Sequence, residues 1–315
     1  VISTAIDKFV YIVINRTPLI DKVSARYSIS ETVNHPSELQ HTRIKAALTD
    51  LGIERGLEIG SFASLPAKTG LGSSSSFSVA LMKGLHAYQG RSIGSREAAQ
   101  FASRLEIEIL SEPIGKQDQY AASFGGLNVI QFNPDDSVEI NPVLLDYKKR
   151  LLIEDHLILF YTGLNRDASS VLTEQKANIG QEEKFKTLSE MADSVQEFVE
   201  RLEAGDIKGM GTKLHEGWLR KKSLASNLSN VSIDTLYEAG LAAGAWGGKV
   251  SGAGGGGCIL FFAPQEKKSA VVKRLKQEAE RIGLKEFKEI PVKFVQSGAE
   301  ILFNGDNHHH LSSVL

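Results

Sequence analysis

A glycine- and serine-rich segment between an apolar strand and an amphipathic helix most restricts the fold of this 315-residue chain. The segment is Pro66-Ala-Lys-Thr-Gly-Leu-Gly-Ser-Ser-Ser-Ser-Phe77, and it follows strand-like residues 56–65. Phe77, Leu81 and Leu85 then recur at intervals of four, which predicts one apolar face of a helix. The chain therefore needs an architecture in which a strand turns through small residues directly into a helix.

The same segment has the composition of a phosphate-binding loop. Gly70 and Gly72 allow a ligand to approach the backbone closely, and the amides and dipole of the helix N-terminus attract an anion. Residues 73–76 are all serine and add hydroxyl groups for a phosphate or a magnesium ion. A helix cap needs only one serine, so this run favours phosphate binding over plain capping. No Gly-Lys-Ser/Thr ends the segment, which excludes a Walker loop.

A second glycine tract, Gly252–Gly257, formally matches the dinucleotide-binding pattern Gly-x-Gly-x-x-Gly. That pattern requires a following helix, whereas Cys258–Phe262 reads as a strand, so a Rossmann site is excluded. A protein-kinase glycine loop is excluded too, because the chain has no His-Arg-Asp or Asp-Phe-Gly. The tract is therefore expected to lie against either a ligand or another loop, and a role in lining the active site is favoured.

Glu106 is the unusual carboxylate of a predicted helix over 95–110. It lies on the border of the apolar stripe of this helix, whereas Glu108 follows Arg104 by one turn and has an ordinary salt-bridge explanation. A carboxylate at a buried border is either tied to a cation or backbone amide, or it holds a metal ion. Both interpretations remain open from the residues alone.

Asp118 is a second candidate for chemistry, within Gly115-Lys-Gln-Asp-Gln-Tyr120. Lys116 precedes it by two positions and would keep the aspartate ionised if their side chains meet. The alternative is an aspartate in a turn or helix cap. From the residues alone this structural interpretation is the preferred one.

The chain begins β-rich and changes to mostly long amphipathic helices in its second half, which indicates an α+β protein with a boundary near residues 150 to 165. The predicted strands cover residues 8–15, 23–30, 56–65, 151–161, 258–263 and 290–296. The predicted helices cover residues 38–51, 73–88, 95–110 and 265–282, with long amphipathic helices over most of 168–243.

Charge and cysteine content exclude several classes of protein. Lys and Arg number 36 against 38 Asp and Glu, so the basic excess of a general nucleic-acid or anionic-membrane binder is missing. A single cysteine, Cys258, excludes an internal disulfide and a multi-cysteine zinc site and fits the cytoplasm. The apolar runs are too short for a membrane helix, and the first 15 residues do not have the pattern of a signal peptide.

Three motifs, in this order and spacing, resemble the GHMP small-molecule kinases. They are Leu65-Pro-x-x-x-Gly-Leu-Gly-Ser-Ser, Gly115-Lys-Gln-Asp-Gln and Lys249-Val-Ser-Gly-Ala-Gly-Gly-Gly-Gly-Cys258. The longer strings Ile114–Gly126 and Leu219–Leu224 look most like the branch that contains D-glycero-D-manno-heptose 7-phosphate kinase. Enzymes of that branch phosphorylate the anomeric oxygen of a heptose phosphate for cell-envelope lipopolysaccharide.

The resemblance implies a two-domain α+β fold with ATP and substrate in the cleft between the domains. Residues 1–160 would form a ribosomal protein S5 domain 2-like ATP-binding domain with a left-handed β-α-β crossover, 161–305 a ferredoxin-like domain, and 306–315 a tail. Members of the family normally begin with a first strand and a glycine-rich substrate loop. On the resemblance, we expect both to be missing before Val1.

The resemblance also implies a role for each matching residue. Asp118 would be the catalytic carboxylate, assisted by Lys116, and Ser74 and Glu106 would hold Mg²⁺. The residues that would contact ATP or line its site are Pro66, Gly70, Leu71, Gly72, Ser73, Ser74, Ser75, Gly252, Ala253, Gly254 and Gly255.

The expected activity is ATP- and Mg²⁺-dependent phosphoryl transfer to a hydroxyl of a sugar or sugar phosphate, with heptose 7-phosphate as the first candidate. One alternative is a GHMP kinase for L-fucose, galactose, homoserine or mevalonate. A second is a non-catalytic binding protein on the same fold. The expected partners are ATP and the sugar substrate. Nucleic acid and membrane are not expected as partners, and a homodimer is one possible assembly.

Overall fold

The computed structural model describes residues 1–164, 172–174, 178, 180–225 and 228–305. The chain forms two compact units that are interleaved in sequence. Of the described residues, unit 1 comprises those within Val1–Asp7, Pro66–Leu71 and Leu127–Val295, and unit 2 comprises those within Lys8–Leu65, Gly72–Gly126 and 296–305. These two units are not separated by a single cut near residue 160. The predicted boundary between the two family domains at that position therefore stays a prediction. The predicted tail, 306–315, and parts of the predicted helical region 168–243 lie outside the described residues.

The strands of the described residues are numbered in chain order. They are β1 (Ile2–Ile6), β2 (Val10–Arg16), β3 (Val23–Arg26), β4 (Ser30–Val33), β5 (Leu57–Ala63), β6 (Leu127–Phe132), β7 (Val138–Pro142), β8 (Leu157–Tyr161), β9 (Gly247–Val250), β10 (Cys258–Phe262), β11 (Lys288–Glu289) and β12 (Phe294–Val295).

The helices are numbered in the same way. They are α1 (Thr42–Asp50), α2 (Ser73–Tyr88), α3 (Ser95–Ser103), α4 (Gln117–Phe124), α5 (Tyr147–His156), α6 (Glu182–Ala204), α7 (Ile207–Lys222), α8 (Val231–Ala242) and α9 (Gln265–Arg281). A π-helix, Arg104–Ile109, directly follows α3.

Unit 2 contains a four-stranded sheet in the order β2-β5-β3-β4. The β3 and β5 strands are parallel, and the other neighbours are antiparallel. Leu81 and Leu85 of α2 are fully buried in one core with Val23 and Ile59 of the sheet. The predicted apolar face of α2 is therefore confirmed, with its third residue, Phe77, packed partly buried against the same core.

Unit 1 contains two four-stranded antiparallel sheets, ordered β12-β1-β6-β7 and β11-β8-β10-β9. Numbered along the chain, the second sheet has the order 4-1-3-2 of a ferredoxin-like arrangement. Helices α8 and α9 contribute Leu236 and Leu275 to the core that covers Phe160 and Phe261 of its central strands. The β9-β10 hairpin carries the second glycine tract in its loop.

Several predicted elements are wrong in part. The strand expected over 23–30 ends at Arg26, and the chain reverses into a separate strand that begins at Ser30. Of the strand expected over 290–296, only Phe294–Val295 forms. The strand expected over 151–161 begins only at Leu157, because the preceding residues form α5, whose first turn is capped by Asp146 Oδ1 accepting from the Lys149 amide at 2.8 Å. Only one side of α5 needs to be apolar, so Glu154 and Asp155 fit a helix and not a buried strand. The helix expected over 95–110 is α-helical only to Ser103 and continues as the π-helix.

Among the described residues, no helix combines the length and apolar character required to cross a bilayer.

Candidate active site

Helix α2 begins without a side-chain cap. Its N-cap residue is Gly72, which has a left-handed backbone with φ of +71° and no side chain to accept a hydrogen bond. The alternative interpretation, in which one of the serines caps this helix, is therefore wrong, because the N-cap residue is a glycine. The first-turn amides and the positive end of the helix dipole form the type of N-terminus that binds phosphate groups.

The two glycine motifs meet within unit 1. A Cβ atom on Gly70, whose φ is +74°, would lie 2.7 Å from the carbonyl oxygen of Ser251. A Cβ atom on Gly252 would lie 2.6 Å from the Cα of Gly70. Of the two partners expected for the second tract, the structure thus places another loop, residues 66–71, against its start.

The remainder of the second tract is held by backbone contacts. The Gly255 amide donates to the Leu228 carbonyl at 2.7 Å, and the Gly257 amide donates to the Leu164 carbonyl at 2.9 Å. Lys221 Nζ donates to the Gly252 carbonyl. Gly255 is buried, whereas Gly252 is exposed and Ala253 and Gly254 are partly buried. The start of the tract is therefore its accessible part.

Gly70→Ala is expected to lower the free energy of unfolding by about 2–5 kcal/mol, because the left-handed backbone costs about 1–2 kcal/mol and overpacking about 1–3 kcal/mol. Gly283→Ala is the matched control, since Gly283 has φ of +78° and open space around its Cα. It should lose only the backbone part. Thermal unfolding of both variants compares them, and equal losses would show that the contact between the two motifs contributes nothing.

Asp118 lies beside the start of α2 within unit 2. A Cβ atom on Gly72 would lie 3.5 Å from Asp118 Cγ and 3.6 Å from Oδ2. Asp118 is exposed in the first turn of α4, and the N-cap residue of that helix is Lys116, so Asp118 is not the cap. The structure therefore brings the predicted catalytic carboxylate to the predicted phosphate loop, while the role of Lys116 stays a prediction.

Glu106 is fully buried in the π-helix and accepts four hydrogen bonds. Its Oε1 accepts from Arg43 Nε at 3.1 Å and Ser78 Oγ at 2.8 Å. Its Oε2 accepts from Ser75 Oγ at 2.9 Å and from Gln119 Nε2. The first interpretation, a border carboxylate tied to a cation, is thus confirmed, and the carboxylate joins α1, α2 and α4.

The surroundings of Glu106 also fit a magnesium ion. Mg²⁺ takes oxygen ligands and usually only one or two carboxylates, and Glu106 with the Ser75 hydroxyl offers that set. Gln119 Oε1 is buried beside them with no partner among the described residues, so an additional oxygen is available. Ser74, the predicted magnesium ligand, is exposed, whereas its neighbour Ser75 contacts Glu106. The metal assignment remains a prediction, now with two candidate serines.

Glu108 has the ordinary role expected for it. Its side chain is 71% exposed, and its carboxylate lies 4.0 Å from Arg104 Nε, which matches the predicted pair one helical turn apart. Arg104 makes its shorter contacts, both 2.7 Å, with Asp50. The two glutamates of this helix therefore differ sharply in burial and in number of partners.

The predicted ATP-contacting residues are distributed over both units. Pro66 is exposed and Leu71 is partly buried in unit 1, while Ser73 in unit 2 is partly buried. Sequence reasoning missed Arg43, Ser78 and Gln119. Gln119 stands next to Asp118 in a recognisable motif, but nothing in the local pattern marks Arg43, which precedes Glu106 by 63 positions.

Among the described residues, no group of three or more histidine, cysteine, aspartate or glutamate side chains is arranged to hold a metal ion. A magnesium site with a single carboxylate is compatible with this finding, since the nucleotide phosphates supply other ligands.

Two family profiles match the chain in the expected order. The GHMP kinases N terminal domain matches residues 41–126, and the GHMP kinases C terminal domain matches residues 198–281. Over 217 residues the chain is 30% identical to D-glycero-alpha-D-manno-heptose 7-phosphate kinase of Campylobacter jejuni, covering 69% of this chain and 64% of that protein. The chain thus spans less than two thirds of the length of this relative.

Solved structures share the fold. A D-glycero-D-manno-heptose 1-phosphate kinase from Bacteroides thetaiotaomicron superposes with a TM-score of 0.71 at 23% identity, covering 96% of this chain and 90% of that one. The galactokinase of Lactococcus lactis, solved with galactose, gives 0.74 at 19% identity, covering 95% and 88%. The predicted two-domain α+β fold is confirmed. Because both family profiles match and together span more than half of the residues, this chain belongs to the GHMP kinase family.

Proposed function

We propose that this chain transfers the γ-phosphoryl group of ATP to a hydroxyl group of a sugar or sugar phosphate. The observation that carries the proposal is the position of the exposed Asp118 carboxylate beside Gly72, where an uncapped helix begins. A phosphate-binding N-terminus and a carboxylate able to accept a proton are the two parts that phosphoryl transfer to an alcohol needs at one place. Family membership supports the same reaction class.

The loop and the start of α2 would bind the phosphates of ATP. Gly72 places no side chain over the helix N-terminus, and the first-turn amides of Ser73, Ser74 and Ser75 would donate to phosphate oxygens. Gly70 would hold the loop in place, because its missing side chain permits the close contact with Ser251 and Gly252. On the family resemblance, Gly252, Ala253, Gly254 and Gly255 of the second tract would also contact ATP. Glu106 with the Ser74 or Ser75 hydroxyl would hold Mg²⁺, which when bound neutralises charge on the phosphates.

Asp118 would act on the acceptor. As the acceptor oxygen bonds to the γ-phosphorus and ADP leaves, the hydroxyl proton passes to a carboxylate oxygen of Asp118. Lys116 would assist by favouring the ionised carboxylate if the two side chains meet.

D-glycero-D-manno-heptose 7-phosphate, phosphorylated at its anomeric oxygen, is the first candidate acceptor. The support is the Campylobacter jejuni relative, which carries the name of that kinase at 30% identity. Fucokinase, galactokinase and mevalonate kinase relatives match at lower identity, 29%, 28% and 26%, so L-fucose, galactose and mevalonate are the competing acceptors. A cytoplasmic location and a role in lipopolysaccharide synthesis belong to this same proposal.

The test is a substrate panel with ATP and Mg²⁺. The purified chain is incubated with heptose 7-phosphate, L-fucose, galactose, homoserine and mevalonate, and phosphorus NMR identifies the product and the oxygen phosphorylated. A new anomeric phosphate from the heptose phosphate supports the proposal. Transfer to another acceptor would contradict heptose 7-phosphate as the substrate but would support phosphoryl transfer as the reaction. ATP binding without transfer to any acceptor indicates a binding protein instead.

Gly72→Val is expected to weaken binding of a non-hydrolysable ATP analogue at least about tenfold, because a side chain would stand where phosphate oxygens approach the backbone. Gly52→Val is the matched control in the same unit, since Gly52 has a similar φ, +64°, and open surroundings. Isothermal titration calorimetry measures both variants after circular dichroism shows that they fold. Equal affinity of folded Gly72→Val and parent protein would contradict the phosphate-loop assignment.

A further inference from the structure

Arg43 is the charged donor among the four side chains that hydrogen-bond to Glu106. The other three donors, Ser75, Ser78 and Gln119, are neutral. Because each Glu106 oxygen already accepts two hydrogen bonds, an arriving cation must displace at least one donor. Either Arg43 or one of the three neutral donors must therefore leave the carboxylate when a metal ion binds.

Arg43 is shared between two carboxylates. Its Nε lies 3.1 Å from Glu106 Oε1, while its Nη2 lies 2.7 and 2.8 Å from the two oxygens of Glu112. The Arg43 side chain is 19% exposed and that of Glu112 is 28% exposed, whereas Glu106 is fully buried. The guanidinium therefore has a second, more accessible partner within reach.

We propose that Arg43 occupies Glu106 as a placeholder cation that Mg²⁺ displaces, and that Glu112 retains the guanidinium when it leaves. The inference rests on the proposed function, because it takes Glu106 as the magnesium carboxylate. It goes beyond that function by assigning to Arg43 and Glu112 the control of the metal affinity of the site.

Electrostatics selects Arg43 over the neutral donors. A guanidinium and a dication on one carboxylate repel each other in a buried site, where screening by water is weak. The serine hydroxyls can instead rotate and turn a lone pair towards the ion, and Gln119 Oε1 is already without a partner among the described residues. Without metal, Arg43 keeps the buried Glu106 from being an unpaired charge.

The proposal predicts opposite effects for the two ends of the Arg43 bridge. Arg43→Gln removes the competing cation, so the metal should bind at least about fivefold more tightly, within the usual range of coupling between two ligands. Glu112→Gln removes the alternative partner, so Arg43 should stay on Glu106 and the metal should bind at least about fivefold more weakly. Arg43→Lys keeps the charge and should stay close to the parent protein.

Mn²⁺ serves as the probe, because free Mn²⁺ can be counted by electron paramagnetic resonance in the presence of a non-hydrolysable ATP analogue. Arg104→Gln is the matched control, since Arg104 also forms a short ion pair in unit 2, with Asp50. It should leave Mn²⁺ affinity unchanged. The rise in unfolding temperature on adding Mn²⁺ is a second readout. This rise should be larger for Arg43→Gln than for the parent protein.

Unchanged or weaker Mn²⁺ binding by Arg43→Gln would overturn the proposal and would indicate that Arg43 only orients Glu106. If Arg43→Gln does not fold, the Glu112→Gln variant provides the test. Unchanged Mn²⁺ affinity in Glu112→Gln would also overturn the proposal. Failure of the proposed function is distinguishable, since it would appear as parent protein that transfers no phosphoryl group to any acceptor. If the parent protein is an active kinase but Arg43→Gln binds Mn²⁺ more weakly than the parent, the proposed function stands and only the placeholder role of Arg43 is contradicted.

Discussion

Asp118→Asn is expected to reduce turnover by about a hundredfold or more, while affinity for ATP stays close to that of the parent protein. Asparagine has the same shape and still accepts a hydrogen bond, but it cannot take up a proton at neutral pH. A positioned general base typically contributes about 10² to 10⁴ in rate. The loss should therefore appear in kcat more than in KM, as for an interaction made in the transition state.

The fold should tolerate this change. Asp118 is exposed in the first turn of α4, so the loss of its favourable interaction with the helix dipole should cost up to about 1 kcal/mol. Steady-state kinetics, calorimetry with an ATP analogue and thermal unfolding separate chemistry, binding and stability. Asp135→Asn, in an exposed turn, serves as the control. Turnover of Asp118→Asn within a few fold of the parent would make Asp118 a structural residue.

Glu106→Gln is expected to combine a large loss of stability with a loss of magnesium use. Removing one partner from a buried ion pair costs about 3–5 kcal/mol, and the lower end applies here because Arg43 keeps Glu112 as a partner. If Glu106 also holds Mg²⁺, the metal concentration needed for ATP binding should rise at least about tenfold. Thermal unfolding and Mg²⁺ titrations measure the two effects independently.

Glu108→Gln is the matched control two residues along the same helix. Glu108 is 71% exposed and 4.0 Å from its partner, so its removal should cost less than about 1 kcal/mol and leave the magnesium requirement unchanged. Equal losses in the two variants would mean that burial does not distinguish their roles. A stability loss in Glu106→Gln without any change in magnesium requirement would make Glu106 a purely structural hub.

Local sequence signals predicted α2 correctly, from Ser73 to Tyr88, together with its buried face. They also separated Glu106 from Glu108, because the position of a residue relative to an apolar stripe depends only on helical periodicity. The same reasoning was wrong for residues 151–156, where a short apolar run interrupted by charges fits either a strand or a helix. Neighbouring residues alone do not distinguish the two.

The sequence by itself therefore determined the local elements, the two glycine motifs and the border position of Glu106. Only the tertiary structure decided that Gly70 packs on Gly252 and that Asp118 lies beside Gly72. It also decided that Arg43 lies between Glu106 and Glu112. The physical reason is distance along the chain, since helical and strand periods link residues a few positions apart. Contacts between segments separated by many residues depend instead on how whole elements pack and bury their charges.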